Sequence, residues 1–260
     1  MNFLEKQNAV NLFFPENFVH PLGQELTDRL SGIAARYRDG EGGCHGPDHA
    51  GRVYRTALYI GKLMDARLDI LGAAALLHDI GRPFEKEQQG KICHAEKGAE
   101  LAKKTLQDLN FDQKVIADVI HCIETHRYRG DKIPSTLEAK ILFDADKLDC
   151  IGAIGIGRAF LFAGQVGAKL HNSDVDIDAT QSYSTEDTAY REFKVKLSKV
   201  KDRLLTPEGR RLAEERHAFM EVFFERLERE VNGATDQTGK KDLPSTPSRS
   251  SLDNQEPCPN

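Results

Sequence analysis

The chain has 260 residues, 39% hydrophobic and 30% charged, enough to bury a substantial core as one domain or two small ones. A formal net charge of -5 argues against a stable nucleic-acid partner, and no window approaches the uninterrupted apolar length of a membrane helix. Five scattered cysteines without a CxxC pair indicate neither a disulfide framework nor a zinc ribbon; they suit reduced thiols in a cytoplasmic setting.

The opening MNFLEKQNAVNLFFPENF carries Glu5, Lys6 and Glu16 and no continuous apolar core, so it does not read as a signal peptide. A first helix is expected from about Pro21 to Arg38. A second opens at GPDH, where Pro47 suits a first helical turn. Its apolar positions Val53, Ala57, Ile60 and Met64 recur at helical spacing, and His49 shares that inward face. His45 precedes the helix and reads as a loop residue at an entrance.

LDILGAAALLHDIGRP is apolar around its whole circumference, the mark of a helix buried on all sides. Gly81, Arg82 and Pro83 read as a stop, which places His78 and Asp79 in the last turn, where the helix dipole favours a cation. A helix from His94 carries the stripe Ala95, Ala99, Ala102, Leu106 and Leu109. The next opens on an Asp112 cap and sets Val115, Val119, Cys122 and His126 on one face, leaving His121 toward solvent.

STLEAKILFDADKLDCIG starts with a capping box, Ser135 with Glu138. At ~3.6 residues per turn, Asp146 and Asp149 project within about 60° of each other and Asp144 points away. Further helices are expected over Ile151 to Gly164, Glu186 to Leu205 and Pro207 to Val231, with HNSDVDIDATQSYS as an exposed loop. The GAIGIG glycines suit close helix packing, since no strand precedes them. His20, His171 and His217 have no motif around them and read as surface residues. Phe219, Val222, Phe223 and Leu227 form an apolar face suited to the core or to a homodimer contact. From Asn232 the sequence is rich in Pro, Ser, Thr and Gly and reads as a disordered tail, 232–260, behind a single all-α domain, 1–231.

The inward polar residues are His49, His78, Asp79, His94, His126 and one aspartate of the 140s. Imidazoles and carboxylates without a thiolate suit divalent Mn, Fe, Mg, Co, Ni or Zn. An unpaired buried carboxylate is costly, so either a hydrogen-bonded pair or an ion must offset it.

The order His49, His78 with Asp79, then Asp146 resembles the HD-domain phosphohydrolase superfamily, an all-α helical bundle named for that doublet. The strings HAGRV, AALLHDIG, HAEKGAELA, IETHRYR and FDADKLDCIGAIGIGRAF carry the likeness over roughly Cys44 to Gly164. DADKLDCIGAIGIGRAF further resembles a branch of small stand-alone HD hydrolases, some similar to nucleotide pyrophosphohydrolases. The resemblance implies one divalent ion on His49, His78, Asp79 and Asp146. It implies a second on His94 and His126 in two-ion branches, with Asp79 bridging. In a one-ion enzyme those two histidines would serve substrate or hydrogen bonding instead.

The implied reaction is hydrolysis of a phosphoester or phosphoanhydride bond in a small phosphorylated metabolite, a nucleotide first among them, by metal-activated water. Arg52 and Lys147 are the expected cations for phosphate oxygens, followed by Arg82, Arg127 and Arg129. They could equally be plain salt-bridge partners. Asp149 is expected to orient water or a ligand. Two other outcomes stay open: a di-iron oxygenase on the same ligands, and a noncatalytic nucleotide sensor.

Overall fold

The structure, a computed structural model, describes residues 20–37, 47–127, 132–172 and 175–234. Among the described residues every regular element is helical and none is a strand, so the expected all-α architecture holds. His45, Arg129 and the tail from residue 235 lie outside them.

The first helix, α1, runs Gln24–Arg36, within the expected bounds, and α2 runs Pro47–Leu63 from the expected proline. The circumferentially apolar segment becomes α3, Leu68–Leu77, buried from Ile70 to Leu77 and packed against α1 and α2. An apolar cylinder of this kind is stable only in the middle of a bundle, because each exposed face would keep apolar area in water. It ends earlier than its sequence suggests, before the doublet rather than after it: His78 is the cap and Asp79 lies in the following turn. The doublet therefore sits just past a helix end, where two successive side chains can face one space.

Gly81, Arg82 and Pro83 do stop α3, but they also open a short helix, α4, Arg82–Glu87, with proline in its first turn. Proline lacks an N–H, so one signal ends a helix and starts the next. A Cβ on Gly81 would come within 2.1 Å of the His94 carbonyl oxygen and 2.6 Å of the Gly98 nitrogen. Only glycine lets the turn after the doublet touch the backbone of α5, His94–Asp108. That contact brings His94 to Asp79.

Helix α6, Gln113–Glu124, has the expected cap: Asp112 accepts from the Lys114 and Val115 N–H groups. The cap of α7, Leu137–Leu148, is Thr136, which accepts from Ala139 N–H, in place of the Ser135 and Glu138 box. Ser135 instead meets His121 Nε2, and Glu138 accepts from Arg67 N–H. His121 is thus half-buried and ties down the segment before α7. Helices α6 and α7 complete the ring around α3.

The second half packs outside that ring. Helix α8, Gly152–Gln165, lies against α10, Pro207–Val231. Gly155 meets the Cys150 carbonyl, where a Cβ would come within 2.2 Å, whereas Gly157 has nothing within 4 Å, so close packing accounts for only part of GAIGIG. The helix expected over Glu186 to Leu205 is broken into α9, Ala189–Val195, and two 3-10 turns. Asp144, on the outer side of α7, explains where it ends: its carboxylate accepts from Leu205 N–H, Thr206 N–H and the Thr206 hydroxyl. Those bonds redirect the chain into the α10 cap.

The exposed loop is pinned at one end by Asn172, buried and bonded to Glu186 O and Thr188 Oγ1. His20 and His217 are buried rather than on the surface, and His171 packs beside the Tyr190 ring. His20 Nδ1 lies 3.0 Å from the Tyr54 hydroxyl, and His217 faces the Phe193 ring. His217 also shows which face of α10 is internal. Ala213, His217, Met220 and Phe224 are buried at helical spacing, while Phe219 and Val222 are exposed. Phe223 and Leu227 of the expected face do pack against the core, so the true face is offset from the expected one, and a histidine within the stripe hid it. No helix among the described residues is long and apolar enough to cross a membrane.

Candidate metal centre

His49 from the first turn of α2, His78 and Asp79 after α3, His94 at the start of α5, His126 after α6 and Asp146 on α7 meet at one interior spot. All six are buried. His49 Nε2 lies 3.3 Å from both His78 Nε2 and Asp146 Oδ1, and 3.6 Å from Asp79 Oδ2. On the other side of Asp79, its Oδ1 lies 3.7 Å from His94 Nε2 and 3.5 Å from His126 Nε2, which are 3.2 Å from each other. The site thus has two lobes. Asp79 gives one carboxylate oxygen to each.

The backbone and neighbouring carboxylates set the imidazole orientation. Each Nδ1 faces an acceptor without a hydrogen: Asp149 Oδ2 for His49 (2.7 Å), Ala75 O for His78 (2.8 Å), Glu85 Oε2 for His94 (2.6 Å) and Ile123 O for His126 (2.6 Å). Every Nδ1 therefore carries its proton, which directs the Nε2 lone pairs inward. Lone pairs facing each other at 3.2 and 3.3 Å repel unless positive charge lies between them. Asp79 Oδ1 is buried without a hydrogen-bond partner. A bare buried oxygen among imidazole nitrogens fits a cation, whose charge would satisfy the oxygen and the inward lone pairs together. Ions held at ~2.0–2.2 Å by nitrogen and oxygen give ligand spacings of this size. The groups His49, His78, Asp79 and Asp79, His94, His126 could each hold an ion.

Every carboxylate of the site already has a side-chain cation. Arg82 Nε donates to Asp79 Oδ2 (2.5 Å), Lys147 Nζ to Asp146 Oδ2 (2.7 Å), and Arg127 Nη1 to Glu85 Oε1 (3.0 Å). Asp149 receives Arg52 Nε (2.6 Å) and Arg158 Nη1 (2.6 Å), while Arg52 also pairs with Asp48. Burial alone would raise the Asp149 carboxyl, but the His49 and Arg52 hydrogen bonds outweigh it and hold it at about 2. Lys147 Nζ additionally donates to His126 O, joining the two lobes across α7.

Arg52, Lys147 and Asp149 therefore stand where their spacing suggests, each inside an ion pair. Sequence reading missed Glu85 and Arg158. Glu85 lies on the helix concealed behind Pro83, and Arg158 among glycines that drew attention to packing instead.

Burial pulls the His94 imidazole down to about 4, with the charge of Arg82 adding to the effect, so it is neutral near pH 7. Burial would also lower His49, but hydrogen bonds to Asp146 and Asp149 override it and raise it. A proton on His49 Nε2 occupies the position an ion would take. Ion uptake should therefore release a proton, and affinity should rise with pH, by up to about tenfold per unit below the raised His49 value. Calorimetric titration at pH 6 in two buffers of different ionisation enthalpy should give different apparent enthalpies; equal ones would mean that no proton leaves.

Asp149→Asn removes the charge and leaves one acceptor oxygen for His49 Nδ1–H, Arg52 and Arg158, with its NH₂ turned toward one of these donors. It should weaken ion binding by about 10- to 100-fold, the cost typical of groups that orient metal-ligating histidines. Metal-binding calorimetry on the variant, with its fold checked by circular dichroism, would measure this.

Comparison with known proteins agrees with this geometry. The HD domain family model matches residues 48–151. YpgQ of Bacillus subtilis (strain 168), an uncharacterized protein, is 37% identical over 217 residues, spanning 82% of this chain and 91% of YpgQ. The crystal structure of B. subtilis YpgQ in complex with ADP superposes with a TM-score of 0.61 at 31% identity, covering 80% of this chain and 98% of that one. An HD-superfamily hydrolase from Bacillus thuringiensis gives 0.64 at 26% identity, covering 80% and 98%. With the doublet at a helix end, a buried aspartate facing it from a later helix and a relative matched along nearly its whole length, this chain belongs to the HD-domain superfamily.

Proposed function

We propose that this protein is a divalent-metal-dependent hydrolase of a phosphoester or phosphoanhydride bond in a small phosphorylated metabolite, a nucleotide before others. The observation that carries this reading is the two-lobed ligand set sharing Asp79, in which each carboxylate is already paired with a side-chain cation. Charge brought by an ion is then unbalanced, and an anionic substrate is the natural partner. The structure of YpgQ with ADP supports a nucleotide as that anion.

His49, His78, Asp79 and Asp146 would hold one ion; His94, His126 and Asp79 would hold a second. When bound, such an ion screens phosphate charge and lowers the pKa of its water toward neutrality. The chain's own contribution is positioning. Asp149 and Glu85 hold the His49 and His94 tautomers, and Arg52 and Lys147, while paired with Asp149 and Asp146, set positive charge beside the site for phosphate oxygens. In the reaction the water oxygen bonds phosphorus, the bond to the leaving oxygen breaks, and a proton passes to that oxygen.

The test is a panel of nucleotides and phosphate esters with Mn, Co, Mg, Ni, Fe and Zn, following orthophosphate and pyrophosphate release. Turnover that chelation abolishes and metal restores supports the proposal; tight nucleotide binding without turnover under any metal would leave a sensor. The Asp79, His94 and His126 group also suits a second iron, so iron content with oxygen consumption and no phosphate release would favour an oxygenase.

A further inference from the structure

Arg82 occupies an unusual place. It is the first residue of α4, its side chain is 26% exposed, and its Nε lies 2.5 Å from Asp79 Oδ2, the carboxylate shared by both lobes. The lobes are unequal in charge. One has two carboxylates, Asp79 and Asp146, among its candidate ligands; the other has only Asp79 beside His94 and His126. With Arg82 on Asp79, and with Glu85 behind His94 committed to Arg127, the second lobe has no uncompensated negative charge among the described residues. A divalent ion placed there would meet two imidazoles, a neutralised carboxylate and a nearby guanidinium.

We propose that Arg82 couples ion loading in the His94 and His126 lobe to the arrival of a phosphate. While it pairs with Asp79, the guanidinium stands in for part of the charge of a second ion and disfavours that ion. A phosphate anion offers it a stronger bidentate partner. Transfer of the guanidinium to phosphate returns a full negative charge to Asp79, whose Oδ1 already faces His94 and His126 without a hydrogen bond. By reciprocity, an ion in that lobe would strengthen phosphate binding by the same factor. Arg82 is thus a positioning residue that keeps the second lobe from filling before substrate arrives. This rests on the metal-dependent hydrolase reading above.

The experiment is calorimetric titration of Mn into metal-stripped full-length protein, with and without inorganic phosphate, in wild type, Arg82→Gln and Arg82→Lys. Glutamine removes the charge yet leaves a donor for Asp79, so the fold is preserved better than with an apolar residue. Wild type should bind one ion tightly and a second weakly, with phosphate tightening the second by about 10- to 100-fold. Arg82→Gln should show that tightening without phosphate and little further response to it; Arg82→Lys should keep the wild-type pattern. A second ion no tighter in Arg82→Gln than in wild type, or a phosphate effect undiminished in that variant, overturns the coupling. Should Arg82→Gln not fold, wild type alone decides: a second ion indifferent to phosphate overturns it. Wild type binding no ion in either lobe overturns the hydrolase reading itself, so the two failures are told apart.

Discussion

Asp79→Asn should abolish ion binding in both lobes and lower kcat/KM by at least ~10³-fold, or about 4 kcal/mol of transition-state stabilisation. The size follows from the double role of this carboxylate. Its Oδ2 faces His49 and His78, its Oδ1 faces His94 and His126, and no other carboxylate among the described residues reaches both lobes. An amide of the same shape keeps one oxygen but loses the charge, and its NH₂ must face one set of imidazole lone pairs. It also takes from the Arg82 guanidinium its ion-pair partner. Removing one member of a buried charged pair costs more than the pair contributes, because the survivor remains desolvated. Elemental analysis of the purified variant and steady-state kinetics would check both halves. Full metal occupancy with wild-type turnover would dismiss the shared-carboxylate account.

The sequence was most legible where periodicity and chemistry agreed. His49 shares the face of Val53, Ala57 and Ile60, and that face is buried. Helical angle sets Asp144 and Asp146 on opposite sides of one helix without saying which faces the site, a choice that only the resemblance made; the structure has one capping the approach to α10 and the other facing His49. The illegible parts have physical causes. A proline that ends one helix and begins the next hides α4, and with it Glu85 and the orientation of Arg82. Backbone carbonyls such as Ala75 O and Ile123 O fix two imidazoles, yet every residue has a carbonyl, so no side-chain pattern announces them. His217 reads as surface because a histidine on an amphipathic helix is more often wet than buried beside a ring such as Phe193. Local rules lose to tertiary packing where a polar residue finds its partner far along the chain.

Gly81→Ala should destabilise the fold by about 3 kcal/mol, the upper end of the usual cost of overpacking, which lowers Tm by roughly 6–12 °C in a chain of this size. Its φ of -84° is ordinary, so backbone strain plays no part. The cost comes from the added methyl, which would lie 2.1 Å from His94 O and 2.6 Å from Gly98 N. Both are backbone atoms at the start of α5, and no rotamer change can move them aside. Relief requires α5 to shift away from the turn, which lengthens the 3.7 Å approach of His94 to Asp79 and loosens the second lobe along with the fold. Gly157→Ala is the control: it sits in α8 with nothing within 4 Å of the new methyl and should be neutral or stabilising by about 0.5–1 kcal/mol. Thermal melts of the two metal-free variants give the stability difference, and ion titration gives the effect on the site. Equal melting temperatures would mean that the turn and α5 can separate without cost, and that glycine at this position does not set the distance between the HD doublet and His94.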